Sequence, residues 1–177
     1  MSLNSHQLRK TKIGSAKKHK DNLKRNQIVL VLDNVLDTYN IGSFFRLADA
    51  IGAEKIYLCG PCVTPPNIKI HRASIGTWKF IPWQHFDSTI ECLDYLHKNQ
   101  YFTVACELSK NSELYNQAKY QFPVALILGS EVNGISKDVL DKVNKVVEIP
   151  MFGINKSLNV LVAASVISYH ILMEPSK

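Results

Sequence analysis

Four cysteines in 177 residues are too few for a disulfide framework, and no apolar run approaches the length of about 18–20 residues that spans a bilayer. The opening residues lack the apolar stretch of a signal peptide, so a reduced, cytoplasmic protein is the expectation. Nucleotide-binding glycine signatures are absent too. No G-x-G-x-x-G follows an apolar run and no G-x-x-x-x-G-K-[ST] occurs, which removes the ordinary dinucleotide and phosphate-loop modes. The histidines His71, His85, His97 and His170 stand in no metal-ligand spacing, and Cys92 and Cys106 do not supply a second pair to Cys59 and Cys62 for zinc.

What is present is 46% apolar and 20% charged residues, enough for one domain with a real core. The formal net charge of +6 is unevenly placed. Of 21 Lys and Arg, eight fall in residues 1–27 against one of the 15 acids, leaving 13 against 14 in the rest. The chain therefore reads as a basic arm (1–27) followed by a near-neutral body (28–177), and the arm invites an anionic partner. A helix over Ser5 to Lys20 is conceivable within the arm, with Gly14 against it.

From Ile28 onward, short apolar runs rich in β-branched residues alternate with helical patterns. Ile28–Leu32, Lys55–Leu58, Tyr101–Cys106, Val124–Leu128 and Val146–Ile149 read as buried strands, with Phe80-Ile81 a shorter sixth. Ile41, Phe45, Ala48 and Ile51 share one helical face that Gly52 ends. A second helix opens at Asp87-Ser88, a third covers Ile135 to Val143, and a fourth, apolar nearly all round, runs from an N-cap at Ser157 to Met173. This alternation predicts an α/β domain with a mainly parallel sheet flanked by helices.

Cys59-Gly60-Pro61-Cys62 has the spacing of a thioredoxin-like pair. The prolines Pro65 and Pro66 put any helix start beyond both thiols, so a plain turn is the better reading. Three other segments sit where open α/β sheets bind ligands, at the C-terminal ends of strands. They are Asn34 to Arg46, Gly129 to Ser136, and Ile149 to Asn159.

These segments resemble the three motifs of the SpoU (TrmH) family of the SPOUT superfamily, RNA ribose 2′-O-methyltransferases. The matching residues are Asn40-x-Gly42-x-x-x-Arg46, Leu128-Gly129-Ser130-Glu131-x-x-Gly134, and Ile149-Pro150-Met151-x-Gly153-x-x-x-Ser157-Leu158-Asn159. The resemblance covers about residues 28–173 and implies a C-terminal deep trefoil knot, which periodicity does not predict. It implies S-adenosyl-L-methionine as cofactor, contacted around Gly129, Ile149, Met151 and Leu158. It also implies a catalytic set of Arg46, Asn40, Glu131, Ser157 and Asn159, and a homodimer in which the partner's first motif completes the site. The RNA, tRNA or rRNA, would be gripped by the arm and by a cleft rim of Lys69, His71, Arg72, Lys79 and Lys156, near a Ser/Gly loop at Ala73–Thr77. A non-catalytic RNA-binding protein of the same fold and a thiol oxidoreductase are the competing readings.

Overall fold

The structure, a computed structural model, describes residues 3–13, 15–16 and 24–173. Gly14, Lys17 to Lys20 and Asp21 lie outside the described residues, so the helical reading of the arm is met only in part, by α1 (Ser5–Lys10).

Seven strands form one sheet: β1 (Asn26–Asp33), β2 (Ala53–Cys59), β3 (Trp83–Phe86), β4 (Phe102–Cys106), β5 (Glu113–Leu114), β6 (Val124–Gly129) and β7 (Lys145–Glu148). Their order is β3-β2-β1-β6-β4-β7-β5, and every pairing is parallel. The helices are α2 (Thr38–Ala50), α3 (Ile68–Ala73), α4 (Thr89–Lys98), α5 (Lys137–Leu140) and α6 (Val160–Met173), with a 3-10 turn at Thr77–Lys79.

The continuous apolar run of β1 arises because both faces of the sheet are covered. Ile28, Leu30 and Leu32 point into a core shared with Ile41, Phe44 and Phe45 of α2 and with Ala164, Ile167 and Ile171 of α6. Val29 and Val31 point the other way, toward Cys92, Leu93 and Leu96 of α4 and Val139 of α5. Each such aliphatic side chain contributes about 1.5–3 kcal/mol by leaving water. The two cores hold the strands in register, so that Asp33 lies beside Gly129, and Cys106 beside Leu128 and Val147. Because all strands run in one direction, these C-terminal ends share one edge.

Several elements differ from the sequence reading. The strand expected at Phe80-Ile81 lies after Pro82, at Trp83–Phe86, because Thr77–Lys79 winds into the 3-10 turn and Ile81 fills the core. The third helix contracts to Lys137–Leu140, and β5, two residues long, has no apolar run to announce it. The fourth helix begins at Val160, not at Ser157. Asn159 caps it: its Oδ1 accepts from the Leu161 N–H at 2.9 Å and its carbonyl accepts from the Ala163 N–H. That helix is also not buried all round. Val162, Val166, Tyr169 and Met173 form an exposed stripe at helical spacing.

Candidate functional site

The edge where β4, β6 and β7 end opens into a cavity of about 440 Å³. Its floor is made by Cys106, Leu128, Gly129 and Ile149 at the strand ends, and its wall by the segment Met151 to Val160 that leads into α6. All four residues expected to contact a cofactor, Gly129, Ile149, Met151 and Leu158, line it, as do Glu131, Ser157, Asn159 and Lys156.

The loop after β6 turns tightly. The Gly134 N–H donates to the Ser130 carbonyl at 2.8 Å, and Gly134 holds φ +63°, a left-handed conformation that favours glycine. Glu107, directly after β4, fastens this loop from below: one carboxylate oxygen accepts from the Ile135 N–H at 2.9 Å, the other from the Leu108 N–H at 3.1 Å. A Cβ on Gly134 would lie 2.5 Å from the Glu107 carboxylate, so a side chain there would push the carboxylate off the loop.

Three predicted residues from three distant segments meet at the mouth. The Asn40 amide donates to Glu131 Oε1 at 3.0 Å, and the Asn159 amide donates to the same oxygen at 2.8 Å. Asn159 also reaches Asn40 Oδ1 at 3.4 Å. Asn159 therefore both starts α6 through its Oδ1 and holds Glu131 through its Nδ2. Ser157 is exposed on the wall, with its N–H bonded to Asn155 Oδ1 at 3.3 Å.

Arg46 is not brought to this cavity. It is six residues beyond Asn40 on α2, about 9 Å along the axis and about 120° round it. It lies on the face of Gly42, where a Cβ would stand 2.5 Å from Ala73 Cβ, so Arg46 projects on the α3 side, exposed and without a hydrogen bond or ion pair among the described residues.

The sequence reading overlooked Glu107 and Glu148, which line the cavity with Glu131. Glu107 was legible only as a carboxylate immediately after a strand, and Glu148 as the last residue of β7, bonded to Ser112. Burial, then the charge of Glu107, pushes the Cys106 thiol up to about 12, so it stays neutral as part of the floor.

The other candidates resolve into structure. Cys59 and Cys62 are buried; a hydrogen bond with Cys92 and then burial raise the Cys59 thiol, and burial raises Cys62 to about 12, so neither has the exposed, low-pKa character of a redox pair. His71 Nδ1 accepts from the Trp78 indole at 3.1 Å, His85 bonds the Gly60 carbonyl at 2.8 Å, His97 bonds Thr103 Oγ1 at 3.0 Å, and His170 packs edge-on to Tyr115 and Tyr120. Among the described residues there is no cluster of three or more metal-ligating side chains, and no helix is long and apolar enough to cross a membrane.

Comparison with known proteins bears on the same region. The model of the SpoU rRNA methylase family matches residues 27–169. A protein of Staphylococcus saprophyticus assigned to the TrmH family of tRNA/rRNA methyltransferases is 32% identical over 143 residues, which is 81% of this chain and 57% of that one. This chain thus spans little more than half the length of that relative. The AdoMet-bound rRNA methyltransferase of Sinorhizobium meliloti superposes with a TM-score of 0.75 at 26% identity, over 86% of this chain and 58% of that one. A protein whose structure concerns 2-OH methylation of C/U34 on tRNA superposes with a TM-score of 0.71 at 26% identity, over 82% of this chain and 93% of that one.

Proposed function

The chain belongs to the SpoU rRNA methylase family, and from that premise we propose that it transfers a methyl group from S-adenosylmethionine to a ribose 2′-OH of tRNA or rRNA. The observation that carries this reading is the closure of Asn40, Glu131 and Asn159 over the mouth of the strand-end cavity. The cavity suits the cofactor by its chemistry. Three carboxylates, Glu107, Glu131 and Glu148, stand with an apolar set of Leu128, Ile149, Met151 and Leu158, which matches a cation that carries a flat apolar base. When bound, that cofactor supplies a methyl group already activated by its positive sulfur.

The protein's own task is alignment and charge. Glu131, held at one oxygen by two amides, keeps a fixed carboxylate at the mouth, and Ser157 beside it offers a hydroxyl to the ribose. A guanidinium offers five N–H donors and no acceptor, so Arg46 is unsuited as a base. Its role in this reading is to grip the phosphate next to the target ribose and stabilise the oxyanion that develops as the 2′-OH loses its proton to a phosphate oxygen or water.

Since Arg46 faces away from the cavity of its own chain while Asn40 closes it, the reading includes a homodimer in which Arg46 of one copy serves the cavity of the other. The exposed apolar stripe of α6 supplies a surface for a second copy. Residues 28–177 would carry catalysis and residues 1–27 would add RNA contacts. The threading of residues 149–159 into a knot belongs to the same reading.

Titration calorimetry with S-adenosylmethionine, followed by mapping of 2′-O-methyl positions in tRNA and rRNA from a deletion strain, tests it. Expected are binding, and a lost ribose methyl that wild-type protein restores and Arg46→Ala does not. Absence of cofactor binding would turn the reading toward a non-catalytic RNA-binding protein.

A further inference from the structure

The arm is not wholly a tether. The described part of it docks on the body. Asn4 and Gln7 close a reciprocal capping box that starts α1. The Lys79 ammonium then donates to the Arg9 carbonyl at 2.9 Å and the Thr11 carbonyl at 2.8 Å, holding the end of α1. The Leu8 carbonyl lies so close over Gly76 that a Cβ there would stand 2.6 Å from it. Ala16, farther along, is fully buried. At the other end of the arm the Arg25 guanidinium donates to the carbonyls of Ala53 at 3.0 Å and Phe80 at 2.9 Å, so its charge is spent on holding the chain.

Docking places cations beside cations. Arg9, Lys10 and Lys12 are exposed on the arm, and Lys69 and Arg72 are exposed on α3, the helix just before the Gly76 turn that the arm covers. Neither segment offers a carboxylate: residues 4–13 contain no Asp or Glu, and none occurs between Glu54 and Asp87. Burial, then the positive charges of Lys79 and Arg9, hold the His71 imidazole of α3 below its ordinary pKa, so Arg9 and Lys79 both stand close to that helix. Lys137, Lys142 and Lys145, in contrast, are each paired with an acid. Like charges brought together by specific hydrogen bonds, on two described segments that contain no acid, fit a polyanion. The patch also leads to Arg46, which lies one helical turn from Gly42, against the end of α3.

Resting on the RNA reading above, we propose that the docked arm and α3 form one phosphodiester-binding surface, Arg9, Lys10, Lys12, Lys69, Arg72 and Lys79, that leads the RNA backbone to Arg46. Lys79 has two parts in it, as a cation and as the clamp that sets the spacing of the other five.

The test is the salt dependence of affinity for a fluorescent 30-nucleotide RNA hairpin, measured with the full chain, alongside calorimetry with S-adenosylmethionine. Each phosphate neutralised adds about 0.7–0.9 to the slope of log K against log salt. With cofactor affinity unchanged, Arg9→Ala/Lys10→Ala/Lys12→Ala is expected to lower the slope by about 2.1–2.7 and Lys69→Ala/Arg72→Ala by about 1.4–1.8. Lys79→Met removes one charge but frees the arm, so its slope should fall by clearly more than one phosphate's share. Unchanged slopes in the first two variants, tighter RNA binding once the arm charges are gone, or a loss at Lys79→Met of only one phosphate's share would each overturn the proposal. Wild-type protein that ignores the hairpin at low salt would instead sink the RNA reading itself. Cofactor binding and the melting temperature, read on every variant, separate both results from misfolding.

Discussion

At the scale of single residues, Asn159 carries two loads that can be separated. Its Oδ1 starts α6 and its Nδ2 holds Glu131. Asn159→Ala loses both, and the lost cap alone costs about 1 kcal/mol, or about 2–4 °C in melting temperature for a chain of this size. Asn159→Ser keeps an oxygen able to cap but has no amide for Glu131. Its melting temperature should stay within about 1 °C of wild type while methyl transfer falls with Asn159→Ala. Calorimetric melts and a tritiated-methyl assay on both variants check this; equal activity in Asn159→Ser and wild type would show that Glu131 needs no second amide. Asp33, buried at the end of β1, sits in a different situation. It accepts from Thr89 and from the Asn34 amide, yet burial outweighs those bonds and raises its pKa above the ordinary 3.8. The folded state thus binds this proton more tightly than the unfolded chain. Asp33 makes stability fall as pH climbs from about 3.8 through its raised value, after which the loss is constant. Asp33→Asn cannot ionise and keeps a carbonyl for Thr89. In urea titrations from pH 3.5 to 7, its stability should gain on wild type across that window, and parallel profiles would show that Asp33 is not the group responsible.

At the scale of elements, the sequence was readable where one physical demand acted alone. β1 and β6 are apolar on both faces because two cores require it, so a plain run of Ile, Val and Leu located them within two residues. β3 and α6 were misplaced where demands overlapped. Ile81 is apolar because it fills the core, not because it pairs, and Ser157 looked like a cap while Asn159, bonded to Glu131, also did the capping. Arg46 shows the limit: its motif was legible, but its direction from the cavity follows from the turn of α2 and the close approach of Gly42 to α3, neither of which a spacing encodes. Glu107 and Glu148 were passed over because a carboxylate after a strand has no signature until the strands are ordered. The stripe on α6 raises a question of its own. Val162, Val166 and Tyr169 are partly exposed one and two turns apart, an arrangement water does not favour. If a second copy covers them, Val166→Asp puts a charge in the middle of the buried face. Sedimentation velocity should then find monomer where wild type sediments as dimer, with the circular dichroism of the fold retained. A variant that remains dimeric would move the interface elsewhere.

For the molecule as a whole, one chain holds a cavity with its Asn40–Glu131–Asn159 closure but keeps its arginine on another side. A site divided between copies predicts rescue between two inactive proteins. Arg46→Ala retains an intact cavity and Asn159→Ser retains an intact arginine, so each homodimer lacks something in both of its sites. Mixed and re-equilibrated, half of the dimers are heterodimers. In each heterodimer one site pairs the intact cavity with the intact arginine, while the other has neither. Random exchange therefore restores about one quarter of the wild-type sites. Methylation assays on the equimolar mixture, after mild denaturant has allowed subunit exchange, should recover about that fraction, whereas the separate proteins stay low. If Arg46 serves the cavity of its own chain, every site in every heterodimer carries one defect and no mixture regains activity. The RNA backbone, led across the docked arm and α3 of one copy to its Arg46, would then have to be methylated at that same copy's cavity, around the end of α2.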